Sequence, residues 1–197
     1  MIAKRVLDLV VSCFAILLTA PLWAVFAMAI LLEDGRPVFF RQVRIGRGGE
    51  AFRIHKFRTM KVNHGGPNVS ALGDSRVTFI GKYLRASKLD ELPQFLDVAK
   101  GDMSLVGPRP EVPEYVAKWT SAERAAILSV RPGITDPASL EFRNEAALLA
   151  NVDDPTEYYE RVLLPQKVRL YVKYVTGRTF VGDIALLIRT IGAIARF

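Results

Sequence analysis

The pattern of hydrophobic positions divides the chain into one long apolar run and a longer region of short periodic segments. From Val6 to Leu32 the only charged residue is Asp8, and this run exceeds the roughly 20 residues that a spanning helix needs. A secretory signal peptide has a shorter apolar core. We therefore expect residues 1–35 to form a membrane anchor and residues 36–197 to form one domain outside the membrane.

The way in which this run meets a membrane depends on Pro21 and on the flanks. A proline inside a helix removes a backbone donor and clashes with the preceding turn, so we expect a break or kink there. Basic flanks at both ends favour a re-entrant helix that enters and leaves through one leaflet. Asp8 would be tolerated at the interface, paired with Lys4 or Arg5. A kinked spanning helix stays open, because proline also occurs in transmembrane helices.

The remainder of the chain is predicted to be α/β, with a small β-hairpin and a mainly helical domain. Residues 38–45 and 51–58 are rich in aromatic and β-branched side chains and are separated by glycines, which is typical of a hairpin. Helical periodicity covers Thr78 to Arg85 and Asp90 to Ala99, and Gly101 is a stop signal.

Several later segments carry helix signals or are ambiguous. A helix is predicted after Ser121, and Asp136 and Asp154, each followed by proline, are predicted helix caps. The stripe of apolar residues from Ile184 to Phe197 fits either an interfacial amphipathic helix or packing on the core. The polar stretch from Asn63 to Asp74 is either an active-site flap or a plain surface loop.

Composition narrows the class of protein. Half of the residues are hydrophobic and the formal charge is +7, a combination that suits a membrane surface and leaves nucleic acid open as an alternative. The single cysteine, Cys13, lies in the apolar run, which excludes an intramolecular disulfide and a catalytic or metal-binding cysteine. His55 and His64 lie at no metal-ligand spacing, and we interpret both as structural or surface residues.

Five motifs follow one another along the chain and resemble those of the bacterial sugar transferases, also called polyprenyl-phosphate hexose-1-phosphate transferases or monotopic phosphoglycosyl transferases. The motifs are KRxxD at 4–8, PVFFRQxRxG at 37–46 leading to KFRTM at 56–60, LDELPQ at 89–94, GDMSLVGPRP at 101–110 and RPGIT at 131–135. The chain departs from the family at Ala20, where many members have serine, and at Asp136-Pro137, where many have Gly-Trp. The second departure leaves the identity of the sugar open.

The resemblance implies an enzyme of the bacterial inner membrane with its catalytic domain on the cytoplasmic face. It would transfer a sugar 1-phosphate from a UDP-sugar to polyprenyl (undecaprenyl) phosphate and release UMP, in the first membrane step of glycoconjugate assembly. The resemblance also implies a re-entrant helix broken at Pro21, a Mg²⁺ requirement and a covalent phosphosugar intermediate on Asp90. Membrane lipid of the cytoplasmic leaflet is an expected partner, nucleic acid is not, and a homo-oligomer is left open.

The residue types of the acidic pair suit this chemistry. Phosphoryl transfer needs an in-line nucleophile and cations for the phosphate oxygens. Asp90 is the predicted nucleophile, ionised by the positive end of a helix beginning there, and Glu91 is the predicted Mg²⁺ ligand. The alternative is that Ser87 and Asp90 form a capping box.

Seven further residues form the predicted substrate-binding set: Lys56, Arg58, Arg85, Gly107, Pro108, Arg109 and Arg131. The planar fork of Arg109 could bind two oxygens of the diphosphate, and Gly107 would let the backbone approach closely. A solvated strand edge is the alternative for Lys56 and Arg58, and a salt bridge is the alternative for Arg131.

A membrane-tethered binding protein without enzymatic activity is the competing class of function. It would explain the anchor and the basic charge. It would not explain why an acidic pair lies between basic motifs, and an RNA-binding sheet would expose basic and aromatic residues together.

Overall fold

The computed structural model describes residues 2–62, 66, 67 and 69–194, in which a long N-terminal helix packs against a mixed α/β domain. The strands are β1 (Phe39–Ile45), β2 (Ala51–Phe57), β3 (Ser104–Val106) and β4 (Gly133–Thr135). The helices are α1 (Ile2–Asp34), α2 (Phe79–Ala86), α3 (Gln94–Lys100), α4 (Pro113–Val116), α5 (Ser121–Ile127), α6 (Pro137–Glu141), α7 (Glu145–Leu149), α8 (Pro155–Tyr158), α9 (Leu164–Gly177) and α10 (Phe180–Ile194). The predicted class, α/β with mainly helices, is confirmed.

Helix α1 continues through Pro21, so the helix does not end at this residue, and the predicted kink stays a prediction. A proline costs a helix only one hydrogen bond and a local clash, and neighbouring side chains compensate for such losses in apolar helices. Next to Pro21, Thr19 donates to the carbonyl of Ala15 at 2.7 Å and the indole of Trp23 donates to Thr19 at 3.0 Å, although the carbonyl that Pro21 deprives of its helical donor is that of Leu17. Helix α1 is long and apolar enough to cross a membrane, with a mean hydropathy of 2.4 in its most apolar part.

The N-terminal end of α1 is bonded to the domain through its charged residues. Lys4 forms an ion pair with Asp183 at 2.5 Å, and Arg5 donates to two carbonyls at the C-terminal end of α3. Asp8 is buried and accepts hydrogen bonds from the hydroxyl of Ser104 at 2.9 Å and from a backbone N–H of β3 at 3.0 Å. The predicted pairing of Asp8 with Lys4 or Arg5 is therefore wrong, because neutral donors of β3 satisfy this carboxylate.

The C-terminal part of α1 packs on the same domain. Trp23 and Phe26 meet the ring of Phe57 edge-on, with centroid separations of 5.9 and 5.7 Å. Ile30 is buried beside them, and the carboxylate of Glu33 accepts the first two N–H groups of α2 at 2.5 and 2.9 Å. Both ends of one helix are thus fixed to one domain.

Between these two attachments the apolar middle of α1 has large exposed side chains. Phe14 is 66% exposed, Leu17 is 77% exposed and Leu18 is 67% exposed. Water is an unfavourable environment for a contiguous apolar surface of this kind, which marks an interaction with a membrane or another apolar partner.

The elements that carry the motifs mostly match the sequence patterns. β1 and β2 form the predicted antiparallel hairpin. α2 begins after Thr78, whose side chain accepts the N–H of Gly81, and Gly101 ends α3 with a φ of 101°. Asp136 and Asp154 cap α6 and α8 as predicted. The helix that was predicted after Ser121 is α5, which begins at Ser121 and is capped by Thr120.

A short parallel pair, β3 and β4, was not predicted, and it brings two motifs together. A Cβ on Gly107 would lie 2.4 Å from the carbonyl oxygen of Arg131, and one on Gly133 would lie 2.1 Å from the nitrogen of Gly107. Only glycine permits this backbone contact. The loop that follows β3 is thereby held against the start of β4.

Candidate active site

The acidic pair lies in a 3₁₀ turn, Leu89–Glu91, between α2 and α3. Lys88 opens this turn with a φ of 59°, a left-handed conformation. Helix α3 begins three residues after Glu91, at Gln94, and no side chain of the described residues caps it. The predicted helix start at Asp90 and the alternative of a capping role for Asp90 are therefore both wrong.

Glu91 joins two cations that come from distant parts of the chain. Lys56 from the end of β2 donates to its Oε1 at 2.7 Å, and Arg109 from the loop after β3 donates to the same oxygen at 2.6 Å. Burial raises the pKa of Glu91, but Arg109 and Lys56 outweigh this effect and hold the pKa well below its usual range. Glu91 is therefore ionised at neutral pH.

At the neighbouring carboxyl group, that of Asp90, the effect of burial on the pKa outweighs the effect of the nearby cations. Asp90 is only 7% exposed, and burial raises its pKa above the usual value. The charge of Lys56 opposes this rise, Glu91 adds to it, and Arg85 opposes it. The charges that favour the ionised form of Asp90 are therefore those of Lys56 and Arg85, and not the helix end that we expected. Two adjacent carboxyl groups with pKa values pushed apart are typical of a catalytic site.

Arg85 links the acidic pair to the polar loop. Its Nε donates to the hydroxyl of Thr59 at 2.8 Å, and its Nη1 donates to the hydroxyl of Ser70 at 2.8 Å. Burial lowers the pKa of Arg85, and the charge of Asp90 opposes this. Ser70 belongs to the stretch from Asn63 to Asp74, in which residues 63–65 and 68 lie outside the described residues. The described part of this loop therefore contacts a neighbour of Asp90, and its action as a flap stays a prediction.

Two predicted substrate-binding arginines have other partners. Arg58 is buried, pairs with Asp34 at 3.0 Å and donates to the carbonyl of Gly35 at 2.7 Å, which fixes the end of α1. Arg131 donates to the carbonyl of Gly101 at 2.6 Å. The alternatives of a solvated strand edge for Arg58 and a salt bridge for Arg131 do not match these contacts. A contact of either residue with substrate stays a prediction.

Gly107 and Pro108 shape the loop that carries Arg109. The close approach that Gly107 permits is to the protein's own backbone at Arg131, and Pro108 accepts the N–H of Gly133 at 2.9 Å. The side chain of Arg109 remains 30% exposed, so its guanidinium can reach a ligand while it contacts Glu91. Gly107 and Pro108 thus position Arg109.

His55 has the structural role that we expected. Its backbone N–H and its Nδ1 contact the buried carboxyl group of Asp97 at 2.9 and 2.6 Å. His64 lies outside the described residues. The sequence assigned Arg44 only to the motif at 37–46 and assigned no role to Glu111, and the two residues lie close to Arg109. The available signal for Glu111 was its position directly after the GPRP motif.

The acidic pair supplies few oxygen ligands for a metal ion. Within the described ranges there is no cluster of three or more acidic, histidine or cysteine side chains that could hold a metal. Mg²⁺ often binds through one or two carboxylates and the phosphates of a substrate. The donor set could offer Glu91 as one ligand to a Mg²⁺ whose other ligands come from outside the protein, and it does not form a complete protein cage.

Comparison with known proteins assigns the chain to a family. The chain matches the bacterial sugar transferase family over residues 1–196 and belongs to it. It is 39% identical over 95% of its length to a UDP-glucose:undecaprenyl-phosphate glucose-1-phosphate transferase of Caulobacter vibrioides, of which it spans 68%. A protein of the same description from Klebsiella pneumoniae is 39% identical over 80% of this chain, which spans 35% of that relative.

A third relative acts on a different sugar, according to its name. It is a UDP-N-acetylgalactosamine-undecaprenyl-phosphate N-acetylgalactosaminephosphotransferase of Aeromonas hydrophila, 44% identical over 67% of this chain. The chain spans 32% of that protein's length. Relatives with such names include both glucose and N-acetylgalactosamine transferases, so family membership leaves the sugar open.

Proposed function

We propose that this chain transfers a sugar 1-phosphate from a UDP-sugar to polyprenyl phosphate, as the first membrane step of glycoconjugate assembly. The observation that carries this proposal is the pair of buried Asp90 and partly buried Glu91 among Lys56, Arg85 and Arg109. An acidic pair supplies a nucleophile, and the surrounding cations supply the charge that a diphosphate needs. The names of the relatives support the same reaction with undecaprenyl phosphate.

The reaction proceeds in two displacements at phosphorus. A carboxylate oxygen of Asp90 attacks the sugar-bearing phosphorus, the bond from that phosphorus to the bridging oxygen breaks, and UMP leaves with the bonding electrons. An oxygen of polyprenyl phosphate then attacks the phosphosugar on Asp90, which restores the carboxylate and forms a lipid diphosphate sugar. A covalent intermediate divides one difficult transfer into two easier ones.

The cations bind and orient the diphosphate. Lys56, Arg85 and Arg109 exceed the two carboxylates by one positive charge, which favours an anionic ligand. Arg109 offers a planar fork to two phosphate oxygens, and its partial exposure leaves it accessible. Glu91, held ionised by Lys56 and Arg109, would be the protein ligand for Mg²⁺, which supplies further charge neutralisation to the phosphate oxygens when it is bound.

The membrane arrangement follows from the two attachments of α1. A helix that crosses the bilayer leaves its ends on opposite sides, whereas both ends of α1 contact one domain and its exposed apolar middle lies between them. These contacts support a re-entrant anchor in the cytoplasmic leaflet of the inner membrane. Helix α10 supports an interfacial position, because Val181, Ile188 and Ile191 are 74, 65 and 67% exposed.

The reaction is tested with detergent-solubilised protein, which is mixed with Mg²⁺, polyprenyl phosphate and each of a panel of UDP-sugars. We expect UMP and a lipid-linked sugar from at least one UDP-sugar, and neither product from Asp90→Asn. The exposed Asp153, which lies outside the site, provides the matched control Asp153→Asn with unchanged activity. If no UDP-sugar of the panel yields UMP, a membrane-tethered binding protein becomes the better account.

A further inference from the structure

A chain of buried and partly buried polar side chains leads away from Arg109 into the core of the domain. The guanidinium of Arg44 in β1 lies 3.8 Å from Glu111, and Tyr159 donates to the other oxygen of Glu111 at 3.0 Å. Lys167 of α9 lies 3.4 Å from the hydroxyl of Tyr159 and forms an ion pair with Glu145. None of these five residues belongs to the proposed substrate-binding set.

Such a chain is costly where it lies. Glu111 is 4% exposed and Lys167 is 5% exposed, while their surroundings include the apolar cluster of Val112, Tyr115 and Val168. Desolvation of buried ion pairs commonly cancels their attraction, and apolar residues of similar volume often stabilise a core as well or better. A contribution to stability therefore does not explain this polar network, and its contacts with the backbone indicate another role.

The network contacts the backbone on the C-terminal side of Arg109. Arg44 donates from Nη1 to the carbonyl of Pro110 at 3.0 Å, and the N–H of Ile45 donates to the carbonyl of Glu111 at 3.0 Å. On the N-terminal side, the carbonyl of Pro108 is bonded to β4. The backbone that carries Arg109 is therefore held on both sides, by β4 and by the end of β1.

The charges around Arg44 and Arg109 also favour this position of the Arg109 side chain. Burial lowers the pKa of Arg44, Glu111 opposes this, and the positive charge of Arg109 lowers it further. The two guanidinium groups thus lie close enough to repel each other. Glu111 balances the charge of Arg44 on one side, and Glu91 attracts Arg109 on the other.

We infer that Arg44 is a positioning residue for Arg109, and that Glu111 and Tyr159 hold Arg44 in place. Arg44 fixes the carbonyl of Pro110 and thereby directs Arg109 toward Glu91. This inference rests on the proposed function in one respect, since the ligand that Arg109 meets there is taken to be the diphosphate of a UDP-sugar.

A double-mutant cycle on the full-length protein tests the inference through kcat and KM for the UDP-sugar. Arg44→Gln should lower kcat/KM on the order of 10- to 100-fold, since a small misplacement of a binding group has effects of this size. In an Arg109→Gln background the same change should have almost no further effect, because the group that it positions is gone. If the losses of kcat/KM caused by Arg44→Gln and Arg109→Gln instead multiply in the double variant, the inference is overturned and Arg44 is an independent substrate contact.

Conservative variants separate positioning from folding. Tyr159→Phe keeps the ring and removes the hydroxyl that holds Glu111, so we expect a smaller loss of kcat/KM, again absent in the Arg109→Gln background. Arg44→Lys keeps the charge and one donor and should recover part of the activity lost in Arg44→Gln. Arg53→Gln changes an exposed arginine of β2 and is the matched control with wild-type kinetics.

Thermal unfolding and a binding measurement complete the design. A merely structural role predicts that Arg44→Gln lowers the amount of folded enzyme at unchanged kcat/KM per folded molecule, and this result would overturn the inference. Wild-type protein that releases no UMP would refute the proposed function instead. In that case the double-mutant cycle is measured through the Kd of UDP by calorimetry. Losses of affinity that multiply would again contradict a positioning role of Arg44.

Discussion

At the residue scale, the site depends on an unequal pair of neighbouring carboxyl groups. Glu91 is ionised and bonded to two cations, whereas burial raises the pKa of Asp90. The sequence identified both residues through their motif, but it could not predict this inequality. The difference arises from Lys56 and Arg109, which are 35 and 18 residues away from Glu91 along the chain and which only the fold brings to it.

The acid limb of the pH-rate profile is expected to report the ionisation of Asp90. The proposed attack on phosphorus needs the carboxylate, so kcat/KM should fall as the pH falls through the pKa of Asp90, which lies above its usual value. Lys56 favours the ionised form, so Lys56→Gln should move the midpoint of this limb to higher pH, in addition to any loss of rate. The exposed Lys173 provides the control Lys173→Gln. A midpoint that stays in place or moves to lower pH would contradict this role of Lys56.

A second prediction concerns the shape of the Arg109 side chain. Lysine keeps the positive charge and loses the planar fork that binds two oxygens at once. Arg109→Lys should therefore reduce kcat/KM on the order of 10-fold or more, with the protein folded as judged by thermal unfolding. Near-normal kinetics in this variant would assign Arg109 a role in charge balance with Glu91 alone.

At the scale of elements, local patterns predicted the segments with strong periodicity and turn signals. The hairpin of β1 and β2 and the end of α3 at Gly101 are examples. The pair β3 and β4 was missed because strands of three residues carry no measurable period, and their pairing joins segments about 30 residues apart. The helix start was wrong at Asp90 because Pro93 and the left-handed Lys88 favour a 3₁₀ turn before α3.

The contact between Gly107 and Gly133 makes a prediction at this scale. Gly107→Ala would place a methyl group 2.4 Å from the carbonyl oxygen of Arg131, so the two segments must separate. We expect a loss of about 1–3 kcal/mol in the free energy of unfolding and reduced activity, because the loop that carries Arg109 shifts. A methyl group on Gly192 in α10 would meet no atom of another described segment within 4 Å, so Gly192→Ala is the control. Equal stability of both variants would refute the tight contact.

At the scale of the whole molecule, the anchor and the catalytic domain depend on each other. The hydropathy of α1 predicted a membrane segment, but no local pattern predicts that both of its ends are bonded to one domain. Those bonds connect Arg5 with α3 and Glu33 with α2, and so require the folded domain. Helices α2 and α3, which both contact α1, also flank the turn that carries Asp90, so the proposed re-entrant arrangement would place the site close to the membrane surface.

Cysteine labelling in intact cells tests the re-entrant topology. In a Cys13→Ala background, Ile2→Cys places a thiol at the N-terminal end of α1, and Glu50→Cys at the hairpin tip marks the side of the catalytic domain. We expect a membrane-impermeant reagent to label neither thiol in intact cells and both after permeabilisation. Labelling of Ile2→Cys alone in intact cells would establish a spanning helix.

The central claim is that Asp90 carries the sugar phosphate between two half-reactions, and trapping the intermediate tests it most directly. Purified wild-type protein is mixed with UDP-sugar labelled in the sugar, Mg²⁺ and no lipid acceptor, and protein-bound label and UMP are measured together. We predict equal amounts of both, limited by the amount of enzyme, with no label on Asp90→Asn and release of the label to added polyprenyl phosphate. Label that never attaches to active wild-type protein, or a substantial rate in Asp90→Asn, would contradict the covalent mechanism.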